Sequence, residues 1–217
     1  MAGQMGRTGR IGTLLYSLAL RDEVQRCLEI GTWNGQGSTL CLAEGLHETD
    51  GKLTSIEADE ARYAEAVAFY RGKHLPVELL HGVTVGPADY PPFESFLPLI
   101  DQADYEREAP GTHLEWYARE IELASTAPRQ DLLRGMLADG ARFDLVLFDG
   151  GEYASSAEFE LLEPAIDGWV VLDDTNPRMS IKNAENRRRV FASPLWEVVV
   201  DAQDDRCGWT AAKRRRV

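Results

Sequence analysis

The amino-acid sequence predicts an α/β fold: a single, doubly wound domain over residues 1–217 with a mostly parallel sheet. Strand-like segments alternate with helical segments along most of the chain, and parallel neighbouring strands require crossover connections of this kind. A chain of 217 residues can also be served by one hydrophobic core. We therefore expect one sheet and one functional site.

The first half of the chain alternates regularly between strand and helix. Its strands are predicted at residues 26–30, 52–57 and 77–80. Asp59, just after the second strand, is placed to cap a helix that reaches about Arg71. This order of elements is typical of a parallel sheet with crossover helices.

The alternation is interrupted over residues 86–140. Prolines near the start of this segment exclude a central strand, and helical patterns begin at Phe93 and at Thr112. Thr112 and Glu115 have the spacing of a capping box, and Pro128 ends one helix before another begins. The segment is therefore predicted to be a helical insertion, which either forms a lid over a substrate pocket or packs on the sheet; both roles stay open.

The alternation resumes after the insertion. Strands are predicted at residues 143–149 and 169–173, with helices near 156–166 and 182–191. Two further strands, at about 196–200 and 208–212, are joined by a polar turn. They predict an antiparallel C-terminal hairpin that closes one edge of the sheet.

The overall composition is that of a globular protein, with 44% hydrophobic and 27% charged residues. A net charge of −13 argues against nucleic acid as a partner, because phosphate binding relies on Lys and Arg. No apolar run approaches the ~20 residues that span a bilayer, and no signal peptide is indicated. The three cysteines form no CxxC pair and predict neither a disulfide framework nor a zinc site. We expect a cytoplasmic protein that does not bind membranes.

A glycine-rich loop lies between the first predicted strand and its helix. Gly31, Gly35 and Gly37 allow tight turns and close approach of a ligand, and the N-terminus of the following helix offers unpaired N–H groups. Glu57 ends the next strand, where a carboxylate can accept hydrogen bonds from both hydroxyls of an adenosine ribose. The order G-x-x-x-G-x-G departs from the G-x-G-x-x-G of dinucleotide-binding proteins, which weakens an NAD interpretation.

These residues resemble the motifs of class I S-adenosylmethionine-dependent methyltransferases, which have a Rossmann-like fold. The segment LEIGTWNGQGST, residues 28–39, resembles their motif I, and SIEAD, residues 55–59, resembles motif II. The resemblance implies that S-adenosylmethionine is the cofactor and that Glu57 binds its ribose. It also implies that a set of residues in and beside the loop surrounds the rest of the cofactor: Glu29, Gly31, Thr32, Gly35 and Ser38.

Three carboxylates follow the predicted strands in the second half of the chain. Asp149 ends one strand, and Asp173 and Asp174 end the next. If the strands are neighbours, these oxygens converge, and such a cluster needs protonation or a hard cation such as Mg²⁺ or Mn²⁺. Capping of the helices that follow is the alternative role for these aspartates.

The same segments resemble the metal-dependent O-methyltransferases, the group that includes the caffeoyl-CoA, sugar and antibiotic-tailoring enzymes. The resemblance implies that Asp149, Asp173 and Asp174 bind the metal ion, with Asp149 also beside the cofactor. Relatives often carry Asp-Gly-Asp-His or Asp-Ala-Asp-Lys after the fourth strand, whereas this chain has Asp149-Gly-Gly-Glu152. Asp149 and Glu152 are the candidate catalytic residues; Glu152 is a general base, a fourth metal ligand or a spectator, and these roles stay open.

The predicted function is transfer of a methyl group to the hydroxyl of a small molecule, such as a sugar, a phenol or a natural product, assisted by a divalent ion. A metal-independent methyltransferase with Glu152 as the base is one alternative. A nucleotide-binding oxidoreductase and a non-catalytic binding protein of the same fold are the others. Lys182 and Asn183 are further candidates to face the acceptor, and self-association into a homo-oligomer stays open.

Overall fold

A computed structural model of the protein describes residues 5–102 and 110–215. Within these residues, one sheet is built from β1 (Arg26–Ile30), β2 (Lys52–Glu57), β3 (Val77–His81), β4 (Phe143–Phe148), β5 (Ile166–Asp173), β6 (Trp196–Ala202) and β7 (Trp209–Arg214). Its strand order is β3-β2-β1-β4-β5-β7-β6, and the pairs from β3 to β5 are parallel. Strand β7 is antiparallel to both β5 and β6. The predicted parallel sheet with its C-terminal hairpin is confirmed.

Helices cover both faces of this sheet. They are α1 (Arg10–Ala19), α2 (Ser38–His47), α3 (Glu60–Tyr70), α4 (Leu97–Gln102), α5 (Pro110–Thr126), α6 (Leu132–Ala138), α7 (Ser155–Leu162) and α8 (Ala184–Ala192), with short 3₁₀ turns at Pro87–Asp89, Phe93–Phe96 and Glu163–Ala165. Among the described residues, no helix is both long enough and apolar enough to cross a membrane.

The side chains of β4 alternate between two apolar cores. Leu145 and Leu147 pack on the face covered by α1 and α2, whereas Val146 and Phe148 pack on the face covered by α6, α7 and α8. Burial of each such side chain contributes about 1.5–3 kcal/mol. Because both faces are covered, the strand is apolar along its whole length.

Helix α1 has no counterpart in the sequence-based prediction. It packs against α2 through a stripe of buried residues that includes Ile11, Leu15 and Leu18. Gly45 of α2 permits this contact, because a Cβ there would lie 2.6 Å from the Cβ of Ala19. A small residue is therefore required where the two helices touch.

The segment 86–140 is a helical insertion, as predicted, although its residues 103–109 lie outside the described part of the chain. Phe96 and Ile100 form a small core with Tyr153 and Ile181, which belong to the loops after β4 and β5. The insertion therefore packs over the carboxyl ends of these strands. The predicted capping box is wrong, because α5 includes Pro110 and Thr112 thus lies inside the helix; proline is favoured in a first helical turn.

Asp59 caps α3, as predicted, and its contribution can be measured. Its Oδ1 accepts a hydrogen bond from the backbone N–H of Arg62 at 3.0 Å. We expect Asp59→Ala to lower the free energy of unfolding by about 1 kcal/mol, because a helix N–H loses its partner. Asp59→Asn should lower it much less, since asparagine also caps helices. Urea unfolding followed by circular dichroism measures both, and equal losses would contradict the capping role.

Candidate functional site

A cavity of about 1000 Å³ opens at the carboxyl ends of β1, β2 and β4. Its wall contains the glycine loop, the end of β2, the loop after β3, the loop after β4, and residues of α5 from the insertion. Ligands of open α/β sheets bind at this edge, where the strand order reverses on either side of β1. A pocket of this size suits a small molecule or cofactor.

The glycine loop is tightly folded against the end of β4. Gly31 has a φ of +95°, and a Cβ there would lie 2.2 Å from the carbonyl oxygen of Asp149. Gly35 also has a positive φ, of +76°. Gly31, Thr32 and Ser38 line the cavity, and Thr32 Oγ1 is 2.6 Å from Ser55 Oγ of β2. The loop therefore reaches the cavity at three of its predicted cofactor residues, whereas Gly35 packs against Tyr70 and is not part of the wall.

Glu57 stands at the end of β2 and lines the same cavity. Its Oε2 accepts a hydrogen bond from the N–H of Trp33 at 2.6 Å, and its Oε1 accepts one from the N–H of Asp59 at 2.9 Å. Burial raises the pKa of Glu57, although these two backbone hydrogen bonds oppose the shift. The carboxyl group is thus held in one orientation beside the glycine loop.

Glu29 lies behind the loop, outside the cavity wall. It is completely buried, and its Oε2 accepts a hydrogen bond from Ser55 Oγ at 2.6 Å. Burial raises its pKa to about 7, while hydroxyl donors, Ser38 among them, act in the opposite direction. The structure thus places this predicted cofactor residue where it supports the loop and β2.

Asp149, Asp173 and Asp174 converge as the strand-end pattern predicts. One carboxylate oxygen from each lies within 4.8 Å of the others. Burial, followed by the charges of the other two aspartates, raises the pKa of Asp173 to about 8. Burial raises the pKa of Asp149 as well, against the opposing charge of Lys182. Of the three, Asp149 lines the cavity.

Two basic side chains enter this carboxylate cluster. Lys182 Nζ is 2.7 Å from Asp174 Oδ2 and 3.0 Å from Asp149 Oδ1, and its side chain is 8% exposed. Burial favours the neutral amine, but the charges of Asp149 and Asp174, with those of Glu152 and Asp173, together outweigh it and hold the pKa of Lys182 well above its ordinary value. Arg206, from the turn before β7, lies 3.4 Å from Asp173 Oδ2. The sequence predicts Lys182 only as a candidate to face the acceptor; it does not predict the ion pairs with Asp149 and Asp174.

Glu152, the candidate base, lies beside the cavity and is not part of its wall. Its Oε2 is 3.4 Å from Ser180 Oγ. Its backbone N–H donates to Glu120 Oε1 at 2.6 Å. The carboxyl groups of Glu120, Asp149 and Glu158, in contrast, belong to residues that line the cavity.

Glu120 and Glu158 are two cavity residues that the sequence analysis missed. Glu120 of α5 accepts backbone hydrogen bonds from Glu152 and Tyr153 at 2.6 and 3.2 Å. Glu158 of α7 accepts a side-chain hydrogen bond from the hydroxyl of Thr84. Burial raises the pKa of both carboxyl groups to about 7. The cavity therefore contains acidic groups that titrate near neutrality.

Solved structures with a similar fold include several O-methyltransferases. An O-methyltransferase from Bacillus cereus in complex with S-adenosylhomocysteine aligns at 17% identity with a TM-score of 0.59, over 99% of this chain and 84% of that one. TomG from Streptomyces achromogenes, an O-methyltransferase of tomaymycin synthesis in complex with S-adenosylmethionine, aligns at 21% identity with a TM-score of 0.57, over 95% and 80%. The S-adenosylhomocysteine-bound methyltransferase PaMTH1 from Podospora anserina aligns at 13% identity with a TM-score of 0.58, over 95% of this chain and 78% of that one. The chain has a Rossmann-like methyltransferase fold.

No protein-family model and no curated protein sequence matches this chain. The solved structures nevertheless confirm the resemblance carried by residues 28–39 and 55–59 at the level of the methyltransferase fold. Within that fold, the structure brings the glycine loop, Glu57 and Asp149 to one cavity. The roles of the individual residues remain predictions.

Proposed function

We propose that this protein is an S-adenosylmethionine-dependent methyltransferase that acts on the hydroxyl of a small molecule. The observation that carries the proposal is the position of Glu57, which is fixed beside the glycine loop in the wall of a cavity of about 1000 Å³. Solved O-methyltransferases of the same fold hold S-adenosylmethionine or S-adenosylhomocysteine, which supports the same class of ligand here.

The residues of this cavity suit such a cofactor. Glu57 keeps carboxylate lone pairs for two ribose hydroxyls beyond its two backbone hydrogen bonds. Gly31 presents backbone without a side chain, and Ser38 begins α2, whose N-terminal N–H groups favour a carboxylate. When bound, S-adenosylmethionine supplies an electrophilic methyl group on its sulfonium sulfur. The chain's contribution is to hold this group at the edge where Asp149 lies.

The acceptor hydroxyl is proposed to bind beside Asp149 and Lys182, which both line the cavity. Holding the hydroxyl close to the methyl group is the main catalytic effect expected of such a site. A metal-assisted form, with Mg²⁺ or Mn²⁺ on Asp149, Asp173 and Asp174, is supported by the convergence of their oxygens. It is opposed by the ammonium group of Lys182, which already contacts two of the three carboxylates.

The proposed acceptor is a small molecule, not nucleic acid, because the chain carries a net charge of −13. The cavity is bordered by α5 of the insertion, which favours an acceptor that fits inside it. We also propose, from composition alone, a cytoplasmic protein without membrane partners. A homo-oligomer is compatible with the proposed reaction.

Calorimetric titration of S-adenosylhomocysteine tests the cofactor. We expect tight binding by the wild type and about 100-fold weaker binding by Glu57→Ala, because two hydrogen bonds to a charged acceptor contribute about 3 kcal/mol. Glu78→Ala, which removes an exposed glutamate of β3, is the matched control and should bind like the wild type.

This titration, repeated with NAD and combined with a methyl-transfer assay with and without EDTA, separates the candidate functions by three outcomes. Absence of S-adenosylhomocysteine binding, together with tight NAD binding, would replace the methyltransferase by an oxidoreductase. Binding without turnover of any hydroxyl compound would indicate a non-catalytic protein. Binding with turnover that survives EDTA would favour the metal-independent form of the enzyme.

A further inference from the structure

We infer that Lys182 is the built-in cation of the carboxylate cluster formed by Asp149, Asp173 and Asp174, and that its ammonium group takes the place of a divalent metal ion. The inference deepens the proposed function, since it assigns the group that would face the acceptor. Its physical basis is independent of the reaction, because it rests on where the ammonium group lies.

The distances show that the ammonium group is an integral part of the cluster. Lys182 Nζ lies 2.7 Å from Asp174 Oδ2 and 3.0 Å from Asp149 Oδ1, both within the range of charge-assisted hydrogen bonds. Only 8% of the lysine side chain is exposed, compared with 36% for Lys213, which forms an ion pair at the surface. A lysine buried to this degree is normally paired, as this one is.

The backbone that presents Lys182 is anchored to the ends of β4 and β5. The Lys182 carbonyl accepts a hydrogen bond from the hydroxyl of Ser155, at the start of α7. Asn183, the next residue, is fully buried and donates from Nδ2 to the carbonyl oxygens of Phe148 and Asp173 at 3.1 and 2.7 Å. The lysine is therefore held by the same two strands that carry the aspartates.

A metal ion and this ammonium group compete for the same oxygens. Mg²⁺ requires about six oxygen ligands at roughly 2.0–2.1 Å. Two of the three carboxylates are already paired with the Lys182 ammonium group, and the third, Asp173, faces Arg206 at 3.4 Å. With three carboxylates against two cationic side chains, little negative charge is left to attract a divalent ion. Divalent binding would therefore require displacement of the lysine.

The arrangement also gives Lys182 a function in the cavity. An ammonium group has three N–H donors; one donates to Asp149 Oδ1, and the ion pair with Asp174 occupies a second side of the group. Because Lys182 lines the cavity, the third donor can bind the oxygen of an acceptor beside Asp149. Lys182 thus binds and orients the acceptor without a metal ion.

Mn²⁺ binding, measured by electron paramagnetic resonance and by calorimetry, tests the inference on the full chain. The wild type should show no saturable site in this cluster. Lys182→Met should bind one Mn²⁺ at least tenfold more tightly than the wild type binds any Mn²⁺. Replacing Asp174 by Asn in the Lys182→Met protein should abolish the gained site, which separates it from weak binding elsewhere on an acidic surface. Lys52→Met, at an exposed position of β2, is the matched control and should gain nothing.

Two results would overturn the inference. One is a stoichiometric, Asp174-dependent Mn²⁺ site in the wild type, and the other is lack of Mn²⁺ binding by both the wild type and a folded Lys182→Met protein. Lys182→Gln, which keeps N–H donors without the charge, replaces the methionine variant if that variant does not fold. S-adenosylhomocysteine titration of the same wild-type sample shows separately whether the proposed methyltransferase function fails.

Discussion

Replacement of Gly31 by alanine is expected to lower the free energy of unfolding by about 3–5 kcal/mol and to abolish cofactor binding. Gly31 has a φ of +95°, which is unfavourable for a residue with a side chain. The added Cβ would also lie 2.2 Å from the carbonyl oxygen of Asp149, so the glycine loop and the end of β4 would have to separate. Because domains of this kind have about 5–15 kcal/mol of total stability, this loss is large.

Gly72→Ala provides the matched control for this variant. Gly72 has a similarly positive φ of +78°, but no heavy atom lies within 4 Å of the position of its Cβ. Its replacement should lower the free energy of unfolding by only about 1 kcal/mol, which is the cost of placing a side chain on left-handed backbone. Urea unfolding of both variants, with titration of S-adenosylhomocysteine into each, isolates the steric part of the effect. Equal losses of stability would mean that the loop is not in close contact with β4.

The strands of the central sheet were predictable because short strand-like segments alternate with helical segments and are separated by turn residues. The strands predicted at 26–30 and 52–57 coincide with β1 and β2. The start of β5 was placed three residues late, at Trp169 instead of Ile166, since Asp167 and Gly168 interrupt the apolar run. Helix α1 was missed although Ile11, Leu15 and Leu18 recur at helical spacing, a signal that was there to be used.

The candidate site was predictable where it follows from the strand ends and was missed where loops and insertions contribute. Asp149 and Asp173 had to converge because β4 and β5 are neighbours. Lys182 and Glu120 reach the cavity from segments whose positions no sequence period fixes. Glu158 was different: it lies on the buried face of α7 between Ser155 and Leu162, and a charged residue on the apolar side of a helix is itself an indication of a site.

Glu158→Gln is expected to make the protein markedly more stable above neutral pH. Glu158 is 2% exposed, and among the described residues its Oε2 has no hydrogen-bond partner. Burial raises its pKa from 4.5 to about 7. For a carboxyl group with a raised pKa in the folded state, stability is fully present below the unfolded pKa of 4.5, is lost as the pH rises to about 7, and falls no further once the group is ionised in both states. The amide cannot ionise, so the variant should gain about 2–3 kcal/mol over the wild type at pH 8 and nothing at pH 4.5.

Thermal and urea unfolding of both proteins between pH 4.5 and pH 8.5 measures this effect. Glu160→Gln, at an exposed position of the same helix, is the matched control; it removes a surface ion pair with Arg189, which contributes at most about 1 kcal/mol, and should keep the shape of the wild-type curve. The free energy of unfolding of Glu158→Gln should still fall somewhat as the pH rises, because burial also raises the pKa values of Glu29 and Glu120. Parallel curves for the wild type and Glu158→Gln across the whole range would show that Glu158 is ionised in the folded protein. Its side of the cavity would then be wetter and more negative at neutral pH than the structure implies, which would favour a cationic group of the cofactor or acceptor beside it.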